Sequence, residues 1–227
     1  MKSRSISAIG TASRERARSR QAFRTRRLVT GRGVVSRRLS RLLDIVLSAA
    51  ALALLALPML AIAALVKLTS RGPALYHQDR VGLGGKTFTI YKFRTMRLNA
   101  EAESGPVWAR RGDPRCTPIG NLLRRFCLDE LPQLLNVLRG EMSLVGPRPE
   151  RPFFVREFSQ RIPGYARRHD VLPGLTGWAQ INGWRGDSSI EKRVEFDLYY
   201  VRHWSLWMNV RIMLLTPFRI LVDQNGC

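Results

Sequence analysis

Cysteine is scarce in this chain, and Cys116, Cys127 and Cys227 have no metal-ligand or redox spacing. An odd number so placed argues against a disulfide framework and fits a reducing compartment. Acidic residues are also few: 17 Asp and Glu stand against 38 Lys and Arg, for a formal charge of +21. Such a charge needs solvation or anionic surroundings, and it does not choose between nucleic acid, anionic lipid headgroups and phosphorylated substrates. Gly82, Gly84 and Gly85 make no dinucleotide fingerprint, because the required strand, Gly-x-Gly-x-x-Gly and long helix are missing. The 227 residues leave room for one sizeable core, or a catalytic domain of roughly 150 residues with appendages, but not for two full enzymatic domains.

Long apolar runs are rare too, with one exception: Ile45 through Val66 holds no charged residue. As a helix it would be roughly 33 Å long, enough to cross a bilayer. Too many residues precede it for a secretory signal, and Ala63-Ala64-Leu65-Val66-Lys67 offers no cleavage context. The basic residues before it predict a cytoplasmic N-terminus. A single crossing would then put the larger C-terminal part outside. Pro58, near the middle, removes a helical donor, which leaves two readings: a kinked spanning helix, or a helix-break-helix hairpin that enters and leaves by one face, with Asp44 and Lys67 near the interface. Residues 1–36, rich in Arg, Ser, Thr and Gly, read as an arm that is disordered until it meets an anionic surface, or as an expendable solvated tail.

Among the few acids, two are adjacent, in Leu128-Asp129-Glu130-Leu131-Pro132-Gln133-Leu134. Pro132 suits a first turn, and Leu131, Leu134, Leu135 and Leu138 supply an apolar side before Gly140, so a helix is predicted to begin near Asp129. A carboxylate at that positive end stays ionised and can attack phosphorus. Glu130 points elsewhere and is cast as a Mg2+ ligand or orienting group; the bland alternative is a capping arrangement with a surface Glu. In Gly146-Pro147-Arg148-Pro149-Glu150 two prolines lock the chain around Arg148, whose donor fork could grip phosphate oxygens or simply end a rigid surface loop. Glu150 could pair with Arg148 or assist a metal.

Leu75 to Gly82 and Thr87 to Phe93 read as a short hairpin with Lys92 and Arg94 leaving its end, toward an anionic substrate or a solvated rim. Arg97 to Asp113 reads as a loop over a site, and Gly120 to Phe126 as a short helix. Val171 to Gly186 is turn-rich at both ends with a short strand-like centre, in which Gln180 and Asn182 either face one surface for polar recognition or, beside a buried Trp178, satisfy local backbone groups. Arg193 and Asp197 are spaced for an i, i+4 ion pair. The tail from Trp204 and Trp207 to Ile220 is apolar, limited by Pro217, and reads as an interfacial segment or as one buried on the core; Arg202, His203, Asn209, Arg211 and Arg219 argue against a second span.

Taken in order, Arg80-Val81-Gly82, Lys92-Phe93-Arg94-Thr95-Met96, Leu128 to Leu134, Met142 to Pro149 and Gly177 to Gly183 resemble the bacterial sugar transferase family, the monotopic phosphoglycosyl transferases. The likeness runs from Arg37 to about Val222 and is nearest to the polyprenyl-phosphate glycosyl-1-phosphate transferases of the exopolysaccharide-type branch. The resemblance implies transfer of a sugar 1-phosphate from a nucleotide diphosphate sugar, usually a UDP-sugar, to undecaprenyl phosphate, releasing UMP and starting a glycan. Carried over residue by residue, it makes Asp129 the nucleophile that forms a phosphosugar-aspartyl intermediate, and Glu130 the Mg2+ ligand. Arg148, Lys92, Arg94 and Arg124 would hold phosphate, and Arg80, Gln180 and Asn182 would make further substrate contacts. Asp44, Pro58, Trp204 and Trp207 would serve membrane anchoring.

The resemblance also favours the re-entrant hairpin, which keeps both helix ends and the catalytic domain on the cytosolic face of the inner membrane, against anionic lipids. The expected architecture is α/β and monotopic: an arm (1–36), a re-entrant helix (37–68), a catalytic domain with a small antiparallel sheet, several helices and an interfacial C-terminal helix (69–222), and a tail (223–227). Asn209 stands where the family often has Asp, so no role is carried over there. Two other classes compete: a noncatalytic scaffold for polysaccharide assembly, and a membrane-linked nucleic-acid binder. The second does not account for the ordered acidic and proline-rich motifs, and no nucleic-acid partner is expected.

Overall fold

The computed structural model describes residues 31–102, 105–108, 112–186 and 188–222, with side chains from residue 35 onward. Most of the basic arm and the tail at 223–227 lie outside the described residues. By its internal contacts the chain divides into Met1–Ser40 and Arg41–Cys227. The described part of the first is the opening of helix α1, and the site is built within the second.

Helix α1 (Gly31–Thr69) contains the apolar run and has Pro58 inside it. Its secondary structure runs on through Pro58, which removes the bond to the Leu54 carbonyl. Among the described residues α1 is the one helix long and apolar enough to cross a bilayer, with a mean hydropathy of 2.6 over its best stretch. Its middle lies open, Leu54 and Leu57 being 80% and 78% exposed, whereas Asp44, Ser48 and Val66 are buried. Both ends of the run are tied to the same body. At the start Asp44 accepts from Leu144 N at 3.0 Å, and Arg41 donates to the carbonyls of Val137 and Leu138. At the end Met59, Ile62, Ala63 and Val66 pack with Phe93, Leu123, Leu128 and Leu131.

Strands β1 (Leu75–Val81) and β2 (Thr87–Phe93) form the expected antiparallel hairpin, in register from Leu75 opposite Phe93 to Val81 opposite Thr87. The connection turns through Gly84 and Gly85, both at positive φ, where glycine has no Cβ penalty. Helix α2 (Pro118–Arg125) starts as its sequence dictates: the Thr117 hydroxyl accepts from Gly120 N, and Pro118 opens the first turn. A 3-10 turn (Leu128–Gln133) and helix α3 (Leu134–Arg139) follow.

The remainder departs from expectation in three places. A second, parallel pair is present, β3 (Ser143–Val145) with β4 (Gly174–Thr176). It needs glycine at 174, because a Cβ there would sit 2.0 Å from Gly146 N. The predicted strand at 178–182 is instead a one-turn helix, α5 (Trp178–Ile181), in which Ala179, Gln180 and Ile181 are all buried; burial on every side overrides the alternation. Helix α4 (Pro152–Arg161), a 3-10 turn (Tyr165–Asp170) and helix α6 (Ile190–His203) enclose a core of Phe154, Phe158, Tyr165, Ile190 and Val194. Finally, helix α7 (Leu206–Val222) runs through Pro217 where a shorter helix was expected, since the ring removes only the bond to Met213. α7 packs part of the tail on the core: Ile212 is buried against Val145, Ile181 and Tyr200, while Trp207, Leu214, Phe218 and Leu221 are exposed.

Candidate active site

The acidic pair lies on the 3-10 turn, not at the head of a longer α-helix. Pro132 has no N–H to give the Leu128 carbonyl four residues back, and its ring crowds that carbonyl, so the chain takes the tighter winding. Cys127, at φ 55°, reverses the chain out of α2 into this turn, and Leu128 and Leu131 fasten it to the core shared with α1 and β2. Asp129 and Glu130 are each only 3% exposed, which removes the surface-Glu alternative.

Two cations meet Glu130. Arg148 grips it with both arms, Nη2 to Oε1 at 2.5 Å and Nη1 to Oε2 at 3.1 Å, and Lys92 Nζ shares Oε1 at 2.5 Å. Burial works to raise the Glu130 pKa, but the charges and hydrogen bonds of Arg148 and Lys92 win and hold it below the carboxylate range. Asp129 has the opposite fate. Its Oδ1 is buried without a hydrogen-bond partner. Burial, aided by the Glu130 charge, pushes its pKa up to about 6, although Lys92, Arg124 and Arg148 pull the other way.

Asp129 opens on a cavity of about 510 Å³ whose wall also holds Arg80, Lys92, Arg94, Arg124, Arg148 and Glu150. Lys92, with one contact to Glu130, keeps two ammonium donors. Its pKa is lowered by burial against the pull of Glu130. Arg80 donates to Gln78 and to the Pro149 carbonyl, and burial brings its pKa down to about 10. The stretch from Arg97 to Glu101 lines the cavity, as do Val107 and Trp108. It is pinned by a bridge between Met96 and Cys116 and by Glu101, which takes both arms of Arg151 at 2.7 and 2.8 Å.

Several expected contacts fall elsewhere. Arg94 lines the cavity, but its terminal nitrogens donate to the Arg71 and Ser70 carbonyls and the Ser70 hydroxyl, closing off the end of α1. Gln180 and Asn182 are not on the cavity wall; they donate to the Leu175 and Trp178 carbonyls, the local role that a turn-rich stretch allows. Arg193 and Asp197 do not pair with each other: Arg193 donates to Glu150 at 2.8 Å and Asp197 accepts from Arg168 at 2.7 Å. Glu150 is thus held by Arg193 and Arg80, not by Arg148. Asp44 binds β3, Trp204 packs on the core beside Tyr200, and Trp207 is 74% exposed. The residues missed in sequence are Arg151, Arg168 and Trp108. Arg151 had a signal in its closeness to Arg148, whereas Arg168, in an Arg-Arg-His run, looks like solvated surface.

With this geometry in view, comparison with known proteins is decisive. Residues 35–223 match the family described as bacterial sugar transferase. The chain belongs to that family. It is 48% identical over 194 residues to the UDP-glucose:undecaprenyl-phosphate glucose-1-phosphate transferase of Escherichia coli K12, covering 84% of this chain and 42% of that protein. It is equally identical, over 193 residues, to the transferase of the same name from Caulobacter vibrioides, covering 82% of this chain and 71% of that protein. A third relative, at 45% over 185 residues, is the UDP-N-acetylgalactosamine-undecaprenyl-phosphate N-acetylgalactosaminephosphotransferase of Aeromonas hydrophila, covering 81% of this chain and 44% of that protein. The chain therefore spans about two fifths of several curated relatives and most of another.

Proposed function

We propose that this sugar transferase moves a sugar 1-phosphate from a UDP-sugar to undecaprenyl phosphate by way of a phosphosugar-aspartyl intermediate on Asp129, as the first step of an exopolysaccharide or related glycan. The observation that carries this reading is the unpartnered Oδ1 of Asp129, buried in a cavity walled by Arg80, Lys92, Arg124 and Arg148. An ionised oxygen with no hydrogen bond to give up is a ready nucleophile, and cations around it favour a crowded anionic transition state over free carboxylate and substrate.

In the first step an Asp129 oxygen bonds to the phosphorus that bears the sugar, the bridging P–O bond breaks, and UMP leaves with the bridging oxygen. In the second an oxygen of the lipid phosphate attacks the same phosphorus and the Asp129 O–P bond breaks, which restores the carboxylate and gives the lipid diphosphate sugar. Neither step needs a proton taken from the attacking group, since both nucleophiles are already anionic. The bond between sugar C1 and its oxygen is untouched, so the anomeric configuration is retained. Arg148 and Lys92, fixed together on Glu130, hold the diphosphate, with Arg124 and Arg80 as further cations.

Family membership implies a divalent cation, and no cluster of three or more His, Cys, Asp or Glu suited to one is present among the described residues. The residues nonetheless fit Mg2+, which is ordinarily held by one or two carboxylates, waters and substrate phosphates and not by a protein cage. The acidic pair with its orphaned Asp129 oxygen is such a donor set. Glu130 would hold the ion together with substrate oxygens, sharing its carboxylate with Lys92 and Arg148, and the bound ion would offset diphosphate charge.

The docking of both ends of the α1 apolar run on one body supports a re-entrant seat in the cytoplasmic membrane, with Leu54 and Leu57 deepest and the exposed face of α7 at the interface. This keeps the cavity on the side where nucleotide sugars are made. The test is to incubate purified full-length chain with Mg2+, undecaprenyl phosphate and a panel of UDP-sugars, measuring UMP and lipid-linked product beside D129N. Donor-specific product that D129N lacks is the expected result. Product undiminished in D129N would overturn the covalent route, and none from folded wild type with any donor would overturn the activity and favour the scaffold.

A further inference from the structure

Four successive carbonyls flank the residue that grips Glu130, and each accepts a hydrogen bond. Pro147 O receives Gly174 N at 3.0 Å, Arg148 O receives Arg168 Nη2 at 2.7 Å, Pro149 O receives Arg80 Nη1 at 3.0 Å, and Glu150 O receives Val81 N at 2.9 Å. Three of these donors come from a strand or a cavity-wall side chain. The fourth is different. Arg168 is off the cavity wall, with 0% of its side chain exposed, and is the largest fully buried side chain among the described residues.

Its guanidinium is surrounded by acceptors. Nε and Nη2 both reach Asp197 Oδ2, at 3.1 and 2.7 Å, and Nη1 reaches the Tyr165 hydroxyl at 2.9 Å. Asp197 is on α6, one turn beyond Arg193, which holds the Glu150 carboxylate at 2.8 Å. One helix therefore braces both ends of the Arg148–Glu150 segment, Arg193 directly and Asp197 through Arg168. A buried charged pair is a weak source of stability, because desolvation consumes most of the attraction. It is well suited to fixing geometry, since a planar fork with three committed nitrogens cannot rotate.

We infer that Arg168, oriented by Asp197 and Tyr165, is a positioning residue for the reaction: it holds the Arg148 carbonyl so that the Arg148 guanidinium meets Glu130 and the substrate phosphate in register with Asp129. The inference rests on the phosphotransfer reading of the cavity, and it assigns Arg168 no contact with substrate.

The test is a double-mutant cycle on full-length protein in detergent or nanodiscs, comparing wild type, R168K, R148K and R148K/R168K. R168K keeps the charge and loses the fork. It is expected to lower kcat/KM about tenfold and R148K about 100-fold, while the double variant stays near R148K, because once Arg148 cannot grip bidentately its placement has nothing left to set. A double variant slowed by the product of the two effects, about 1,000-fold, would show that Arg168 acts independently of Arg148 and overturn the inference. So would R168K within twofold of wild type. Y165F removes one acceptor from Arg168 with less risk to folding and should reproduce the non-additivity on a smaller scale. Calorimetric binding of UMP to the same four proteins reads the cycle without turnover: if wild type transfers no sugar, the phosphotransfer reading fails while this cycle still decides whether Arg168 acts through Arg148.

Discussion

Two buried polar layers lie back to back in this protein and are satisfied to different degrees. In the rear layer, Arg168 meets Asp197, Tyr165 and the Arg148 carbonyl. In the front layer both oxygens of Glu130 accept from cations, Arg148 and Lys92, yet its neighbour Asp129 keeps an oxygen with no partner. Two adjacent carboxylates, equally buried, are driven to opposite ends of the carboxylate range because one of them takes the cations. The difference is one of pairing: behind the site every guanidinium nitrogen of Arg168 is engaged, while in front one carboxylate oxygen is buried without a partner.

The largest effect should come from removing that charge. D129N is expected to lower turnover by at least about 10³-fold, measured as lipid-linked product per folded protein, while E130Q retains the nucleophile and so retains more activity. If E130Q proved the more damaging of the two, the contrast between attacking and organising carboxylate would be the wrong way round.

In the rear layer the expected loss is of stability. D197N leaves the Arg168 guanidinium buried against a neutral amide, a change that costs about 3 kcal/mol where a buried pair is broken from one side. Urea unfolding of wild type and D197N in the same detergent measures it. A cost below about 1 kcal/mol would mean that water reaches Arg168 and that the rear layer is not closed.

The residues of the front layer, though not their pairing on Glu130, are legible in sequence and those of the rear layer are not, for a physical reason. Asp129, Glu130, Arg148 and Lys92 sit in segments whose Pro and Gly punctuation and local order carry information, and the β1–β2 hairpin follows from alternation. Arg168, Asp197 and Arg193 depend on which helix packs on which loop, a long-range fact. Arg193 and Asp197 at i, i+4 spacing invite a local pair, and the fold pulls each to a distant partner because both face a buried loop and not solvent. The same cause hides the α5 turn: Gln180 and Ile181 alternate like a strand, yet burial of both faces cancels the signal. Pro132 reads as a helix opener, where its clash with the Leu128 carbonyl selects a 3-10 turn.

An effect of at most the same size, confined to a pH window, concerns the stability cost of the front layer. The Asp129 carboxyl has an ordinary pKa near 3.8 in the unfolded chain and about 6 when folded. Well below pH 3.8 it is protonated in both states, and D129N and wild type should have similar stability. As pH rises from 4 to 6 the unfolded chain ionises and the folded chain does not, so wild type loses stability that D129N keeps. Above 6 the difference levels off at up to about 3 kcal/mol, from roughly two pH units at 1.4 kcal/mol each. Melting curves of both proteins across pH 4 to 8 in metal-free buffer check this. A D129N variant less stable than wild type at pH 7 would mean that Asp129 is stabilised by its cations on balance, and that it is not held as a strained nucleophile.

The smallest effect is the control that gives the others meaning. Arg161 and Glu157 form an i, i+4 pair on α4 at 2.9 Å, with side chains 59% and 42% exposed. Water screens that pair, and ordering two long side chains offsets most of the attraction. E157Q should therefore change stability by less than about 0.5 kcal/mol and leave turnover unaltered. Arg161 gives that pair one donor within a single helix, whereas Arg168 gives Asp197 two donors across distant segments and is fully buried. If E157Q cost as much as D197N, burial would not be what separates a positioning pair from a surface one, and the contrast between the layers would have to rest on contact geometry alone.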